Sequence, residues 1–123
     1  MMVKLIFGSK TDEGEKGMLI GFRIKSENNE IADYSKAKHI SAANTTSAEF
    51  NALIEGLRYL TDQGYTGAVE ACGNCQITVN QINGVWSCPS MDVEILLSIT
   101  QQLMHRFDSC AVKWISQEQG NTI

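Results

Sequence analysis

The stretch Asn44-Thr-Thr-Ser-Ala-Glu49-Phe-Asn-Ala-Leu-Ile-Glu-Gly-Leu57, continued by Val69-Glu-Ala-Cys-Gly-Asn74-Cys-Gln-Ile-Thr-Val-Asn-Gln-Ile-Asn-Gly-Val-Trp86, decides how this chain is read. Ala48, Ala52, Leu53, Gly56, Leu57 and Leu60 recur at helical spacing and predict a helix over residues 47–62 with one apolar stripe. Gly64 follows where helix-stop chemistry prefers a glycine. Residues 67–72 are short and apolar enough for a buried strand, and a second helix is expected from 74 to 82, stopped by Asn83-Gly84. Strand, short polar turn and helix therefore follow one another across Gly73-Asn74-Cys75-Gln76.

Outward from this stretch, residues 3–8 read as a first strand and Ser9 to Gly17 as a charged, glycine-containing turn. Residues 18–25 alternate, with Met18, Ile20, Phe22 and Ile24 on one side and Leu19, Gly21, Arg23 and Lys25 on the other, as in a half-buried strand. Residues 31–40 return as a third strand, which makes an antiparallel meander. After Pro89, Val93, Leu96, Leu97, Thr100, Leu103 and Met104 trace a helical stripe within 91–107, and 111–115 make a last strand. The order predicts an α/β domain with a mixed five-stranded sheet and helices packed on it.

Composition bounds the function. At 123 residues the chain is one domain, 1–123, with room for a single core. No apolar run reaches the length of a membrane span and no signal peptide opens the chain, so the expectation is a cytoplasmic protein without membrane contact. The net charge is −4, and Lys and Arg are scattered along the sequence. Duplex nucleic acid is usually held by a concentrated basic face, so composition argues against tight binding of it. Lys36, Lys38 and His39 form a small cluster that a solvated strand face explains equally well.

The quoted stretch, and the element order over nearly the whole chain, resemble ribonuclease H of type 1 and its reverse-transcriptase-like relatives, with the C-terminal helix missing or truncated. The resemblance implies magnesium-dependent cleavage of RNA in an RNA/DNA hybrid, by two metal ions held between converging carboxylates. It places one carboxylate in the first strand, one early in the first long helix, one at the end of the fourth strand and one opening the last helix. Glu49 matches the helix carboxylate; Gly8 and Asn74 stand at the two strand positions, substituted; the fourth falls beyond Ile123. Glu49, and Asn74 through its neutral oxygen, are the metal ligands left, so magnesium is expected to bind feebly or not at all. By family position, Asn44, Thr45, Thr46, Gln76 and Asn80 contact the hybrid.

Other readings compete with this one. Thr46-Ser-Ala-Glu49 is also a capping box, with Thr46 as N-cap and Glu49 reaching back to its amide. Cys72-Gly-Asn-Cys75, at a strand end, has the place of a redox Cys-x-x-Cys, but no proline is placed to face it. Cys72, Cys75, Cys88 and Cys110 are irregularly spaced for zinc, so small free thiols are expected. His39 and His105 read as surface or strand-edge residues, and Trp86 and Trp114 as core or hinge packing and not as base-stacking platforms. The favoured function is a degenerate member, lacking cleavage, that retains weak binding of RNA/DNA hybrid or other nucleic acid, or of a protein partner. One alternative is an active nuclease completed by Asp12 or by residues beyond 123. The other is a protein-interaction domain with no nucleic-acid role.

Overall fold

The computed structural model describes residues 2–11, 17–26, 31–42, 44–88 and 90–116. Five strands, β1 (Met2–Thr11), β2 (Met18–Ser26), β3 (Tyr34–Ile40), β4 (Ala68–Gly73) and β5 (Ser109–Trp114), form one sheet in the order β3-β2-β1-β4-β5. The first three are antiparallel, while β4 runs parallel to β1 and β5 parallel to β4. Parallel neighbours require crossovers. Helix α1 (Thr45–Asp62) leads into β4, and α2 (Gln76–Ile82) with α3 (Met91–Met104) lead into β5. The mixed five-stranded α/β architecture is the one the sequence implies.

Alternation decides which face of the sheet is buried. Val3, Leu5 and Phe7 of β1 and Ile20, Phe22 and Ile24 of β2 lie under α1, which answers with Phe50, Leu53, Leu57 and Leu60. The helix approaches so closely that a Cβ added at Gly56 would lie 2.6 Å from Leu5 Cδ1. Gly64 then ends α1 at φ +77°, a conformation that glycine adopts without strain.

Four expectations are corrected. β1 runs three residues further than predicted, because Ser9, Lys10 and Thr11 pair with Ile20, Leu19 and Met18. Asn44, not Thr46, is the N-cap of α1: its Oδ1 accepts from Ser47 N at 2.9 Å. Glu49 consequently falls in the second turn, too far along to reach the cap amide of a box. α2 begins at Gln76 with Cys75 as N-cap, so Asn74 lies in the turn. Trp86 and Trp114 are half exposed and not packed in the core. Asp12 and residues 117–123, on which the active-nuclease alternative rests, lie outside the described residues. Among the described residues, no helix is long and apolar enough to cross a membrane.

Candidate functional site

Three chain segments converge at one end of the sheet. β1 brings Ser9 on its α1-facing side, α1 brings Glu49, and β4 ends at Gly73 before the turn through Asn74. Gly73 pairs with Phe7, so the turn leaves the sheet at the level of Gly8 and Ser9. A side chain at Gly73 would meet the Phe7 ring at 2.5 Å, which explains a glycine at this strand end. The following turn is tied down by Trp114, whose Nε1 donates to the Asn74 carbonyl at 3.2 Å.

Glu49 is the chemically unusual group. Its side chain is only 1% exposed, and burial raises its pKa from 4.5 to about 7. The Ser9 hydroxyl and amide beside it act in the opposite direction. Neither Ser9 Oγ nor Glu49 Oε1 has a partner at full hydrogen-bond geometry, so Ser9 acts as a nearby dipole and desolvation prevails. Near neutral pH the carboxyl is therefore partly protonated.

Of the residues singled out in the sequence, Glu49 lies in this end of the fold, and the β1 residue that faces it is Ser9. Gly8 is buried and paired with Gly21, with its neighbour Ser9 pointing to α1. Asn74 is half-buried in the turn. Asn44 and Thr45 are exposed at the start of α1, and Gln76 is exposed at the start of α2. Thr46 and Asn80 are half-buried, and the Asn80 carbonyl accepts from the amides of Val85 and Trp86. The Asn44 side chain is engaged by the helix cap.

Magnesium in a two-ion site needs several hard, charged oxygens. Here one carboxyl, partly neutral, faces a serine hydroxyl. Among the described residues no group of three or more His, Cys, Asp or Glu could hold a metal ion. The described donors by themselves do not make a site for a pair of divalent ions. The four cysteines are free; burial raises the Cys72 thiol, away from the lowered value of an activated thiol, and pushes that of Cys110 up to about 11.

Sequence reasoning missed two features. Trp114 is 52% exposed beside Asn74, an accessible indole at the rim of the site. Its place on the last strand, next in register to Gly73, was the available signal. The second is a set of basic residues, distant in sequence, that strand alternation gathers on the sheet face away from α1: Lys4, Lys10, Arg23, Lys25 and Lys113, all exposed. The expectation of scattered charge holds along the chain and fails in space.

Solved structures share this architecture. Ribonuclease H1 from the halophilic archaeon Halobacterium salinarum superposes with a TM-score of 0.87 at 20% identity, covering 99% of this chain and 91% of that one. The N-terminal ribonuclease H domain of a Mycobacterium tuberculosis protein gives 0.85 at 18% identity, over 98% and 86% of the two chains. The LC11 ribonuclease H1, solved in complex with an RNA/DNA hybrid, gives 0.83 at 20% identity, over 96% and 88%. No curated protein matches in sequence. The family described as reverse transcriptase-like matches residues 9–122. With the sheet order and this match together, the chain belongs to the reverse transcriptase-like family and has the ribonuclease H-like fold.

Proposed function

We propose that this domain binds nucleic acid, an RNA/DNA hybrid first, at the end of the sheet where β1, α1 and β4 meet, and does not cleave it. The observation that carries the reading is the Ser9–Glu49 pair: among the described residues one carboxyl, raised to about 7, faces a serine hydroxyl, where two-metal hydrolysis needs several ionised carboxylates. Metal stabilisation of a transition state contributes several kcal/mol, and each ~1.4 kcal/mol is tenfold in rate, so a site short of carboxylates loses many decades.

Binding needs less than cleavage does. Thr45 and Gln76 offer exposed polar groups at the starts of α1 and α2, as does the amide nitrogen of Asn44, whose oxygen serves the helix cap. Recognition of A-form geometry relies on such contacts to backbone and 2′-hydroxyl groups. The exposed Trp114 indole at the rim offers a face on which a base can stack. The hybrid-bound ribonuclease H1 of the same fold makes the hybrid the first ligand to try.

The test is hydrolysis of a labelled hybrid in millimolar magnesium, alongside binding of the same hybrid. The expected result is saturable binding, weakened by Gln76→Ala and Trp114→Ala, with no cleavage over hours. Turnover that Glu49→Gln abolishes, in material free of contaminating nuclease, would overturn the reading in favour of an active enzyme completed by Asp12 or by residues beyond 123. Absence of binding even at low salt would favour the protein-interaction domain.

A further inference from the structure

We infer that the sheet face turned away from α1 is a second nucleic-acid contact, a flat basic surface that takes the phosphate backbone. Lys4 and Lys10 of β1, Arg23 and Lys25 of β2 and Lys113 of β5 are all exposed, and each alternates with residues that face α1. They are five of the chain's ten Lys and Arg. Two described carboxylates accompany them. Glu70 bonds Lys113 at 3.2 Å and is held below the usual carboxylate range by that hydrogen bond first, with Lys4 adding to the effect. Asp33 lies by Arg23 and Lys25 at the sheet edge. Among the described residues, five cations against two carboxylates make this face positive, on a chain whose net charge is −4.

The register makes the arrangement specific. Lys4 and Lys25 are direct cross-strand partners. Like charges set opposite each other cost stability, and a polyanion lying over them removes that cost. Ile6 pairs with Arg23 on one side and Cys72 on the other, and Cys72 with Lys113, so Arg23 and Lys113 lie three strand spacings apart, about 14 Å. Lys10 extends the set about 20 Å along β1 from Lys4. Such spacing suits repeated contacts to a run of phosphates.

The kind of polyanion follows from what the face lacks. Protein interfaces centre on buried apolar and aromatic anchors. Of the exposed large apolar side chains among the described residues, Met2 alone lies on this face; Tyr34 and Trp114 point to the other. Cations without aromatic anchors suit phosphate contacts, which are electrostatic and indifferent to sequence. This surface is distinct from the Ser9–Glu49 end of the fold and does not depend on whether a strand is cut there.

The experiment is a salt titration of binding to a fluorescent RNA/DNA hybrid of about 20 base pairs, between about 50 and 200 mM salt. Lys4→Gln, Arg23→Gln and Lys25→Gln in one chain should weaken binding about tenfold or more at the low end. The slope of log affinity against log salt should flatten by about two to three, near 0.9 for each phosphate no longer neutralised. Lys36→Gln with Arg58→Gln, which removes two exposed cations elsewhere, should change neither by more than about twofold. A thermal melt should show the triple variant at least as stable as the parent; if it does not fold, Lys25→Gln alone should flatten the slope by about one. An unchanged slope would overturn the inference, as would equal losses in the control pair. Binding of polyglutamate that needs the three cations, with hybrid binding unaffected, would overturn it too and mark the face as a site for acidic protein. Each of these results leaves the proposed binding at the Ser9–Glu49 end intact, whereas hybrid cleavage would sink that proposal and leave this one standing.

Discussion

The two faces of β1 differ by a single step along the chain. Leu5 and Phe7 are fully buried under α1, and Ser9 continues their row to meet Glu49. Lys4 and Lys10, each one residue away from this row, stand in solvent with no helix of the described residues over them. One face thus carries the fold and a buried polar end, while the other carries charge that the fold does not use. The comparison separates residues fixed by packing from residues free to serve a ligand. It breaks most directly at neighbouring positions. Leu5→Ala should lower stability by about 2–5 kcal/mol, since it leaves a cavity at the centre of the α1 contact. Lys4→Gln should stay within about 0.5 kcal/mol, or stabilise by relieving its opposition to Lys25. Urea unfolding of the two variants measures both, and similar losses would mean that the second face is structural as well.

Where the buried row ends, the same comparison becomes a pH dependence. Glu49 has a folded pKa of about 7 against 4.5 for the unconstrained group, because burial disfavours its charge. A carboxyl raised in this way binds more protons in the folded state than in the unfolded one. Stability therefore falls as pH rises from about 4.5 to 7, and levels off above. The total is on the order of 3 kcal/mol. Glu49→Gln should remove this slope, so the variant should be the more stable protein at pH 8 and gain little at pH 4. Parallel curves for the two proteins would show that Glu49 stays ionised in the fold, with a counter-charge that the described residues do not supply.

Much of the fold was legible because its signals are periodic. The alternation of Met18, Ile20, Phe22 and Ile24, and the helical stripe from Ala48 to Leu60, each name a face without reference to the rest of the chain. The site was legible only in part. Glu49 could be named from its motif, but its partner on β1 depends on pleat parity at Ser9, and a one-residue offset sends a strand side chain to the opposite face. The basic face was invisible to any scan for clustered charge, since Lys4, Arg23 and Lys113 meet only through the order β2-β1-β4-β5. Trp114 was misread because an indole is usually packed, and here its nitrogen serves the Asn74 carbonyl while the ring stays half exposed.

The smallest expected effect sharpens the boundary between packing and capping at the start of α1. The sequence points to Thr46 as the cap, and the geometry selects Asn44 instead. Asn44 has extended backbone angles, φ −162° and ψ 173°, and its Oδ1 accepts from Ser47 N, three residues on, as an N-cap side chain does. Thr46 lies inside the helix, where its hydroxyl replaces no missing backbone partner. Asn44→Ala should therefore cost about 1 kcal/mol, and Asn44→Gly only a few tenths, because glycine keeps the extended backbone accessible and lets water reach the freed amide. Thr46→Ala should be neutral to slightly stabilising, since alanine is the better helix former. Thermal melts of the three variants at one pH decide the point: a larger loss at Thr46 than at Asn44 would restore the capping box, and with it a structural role for Glu49.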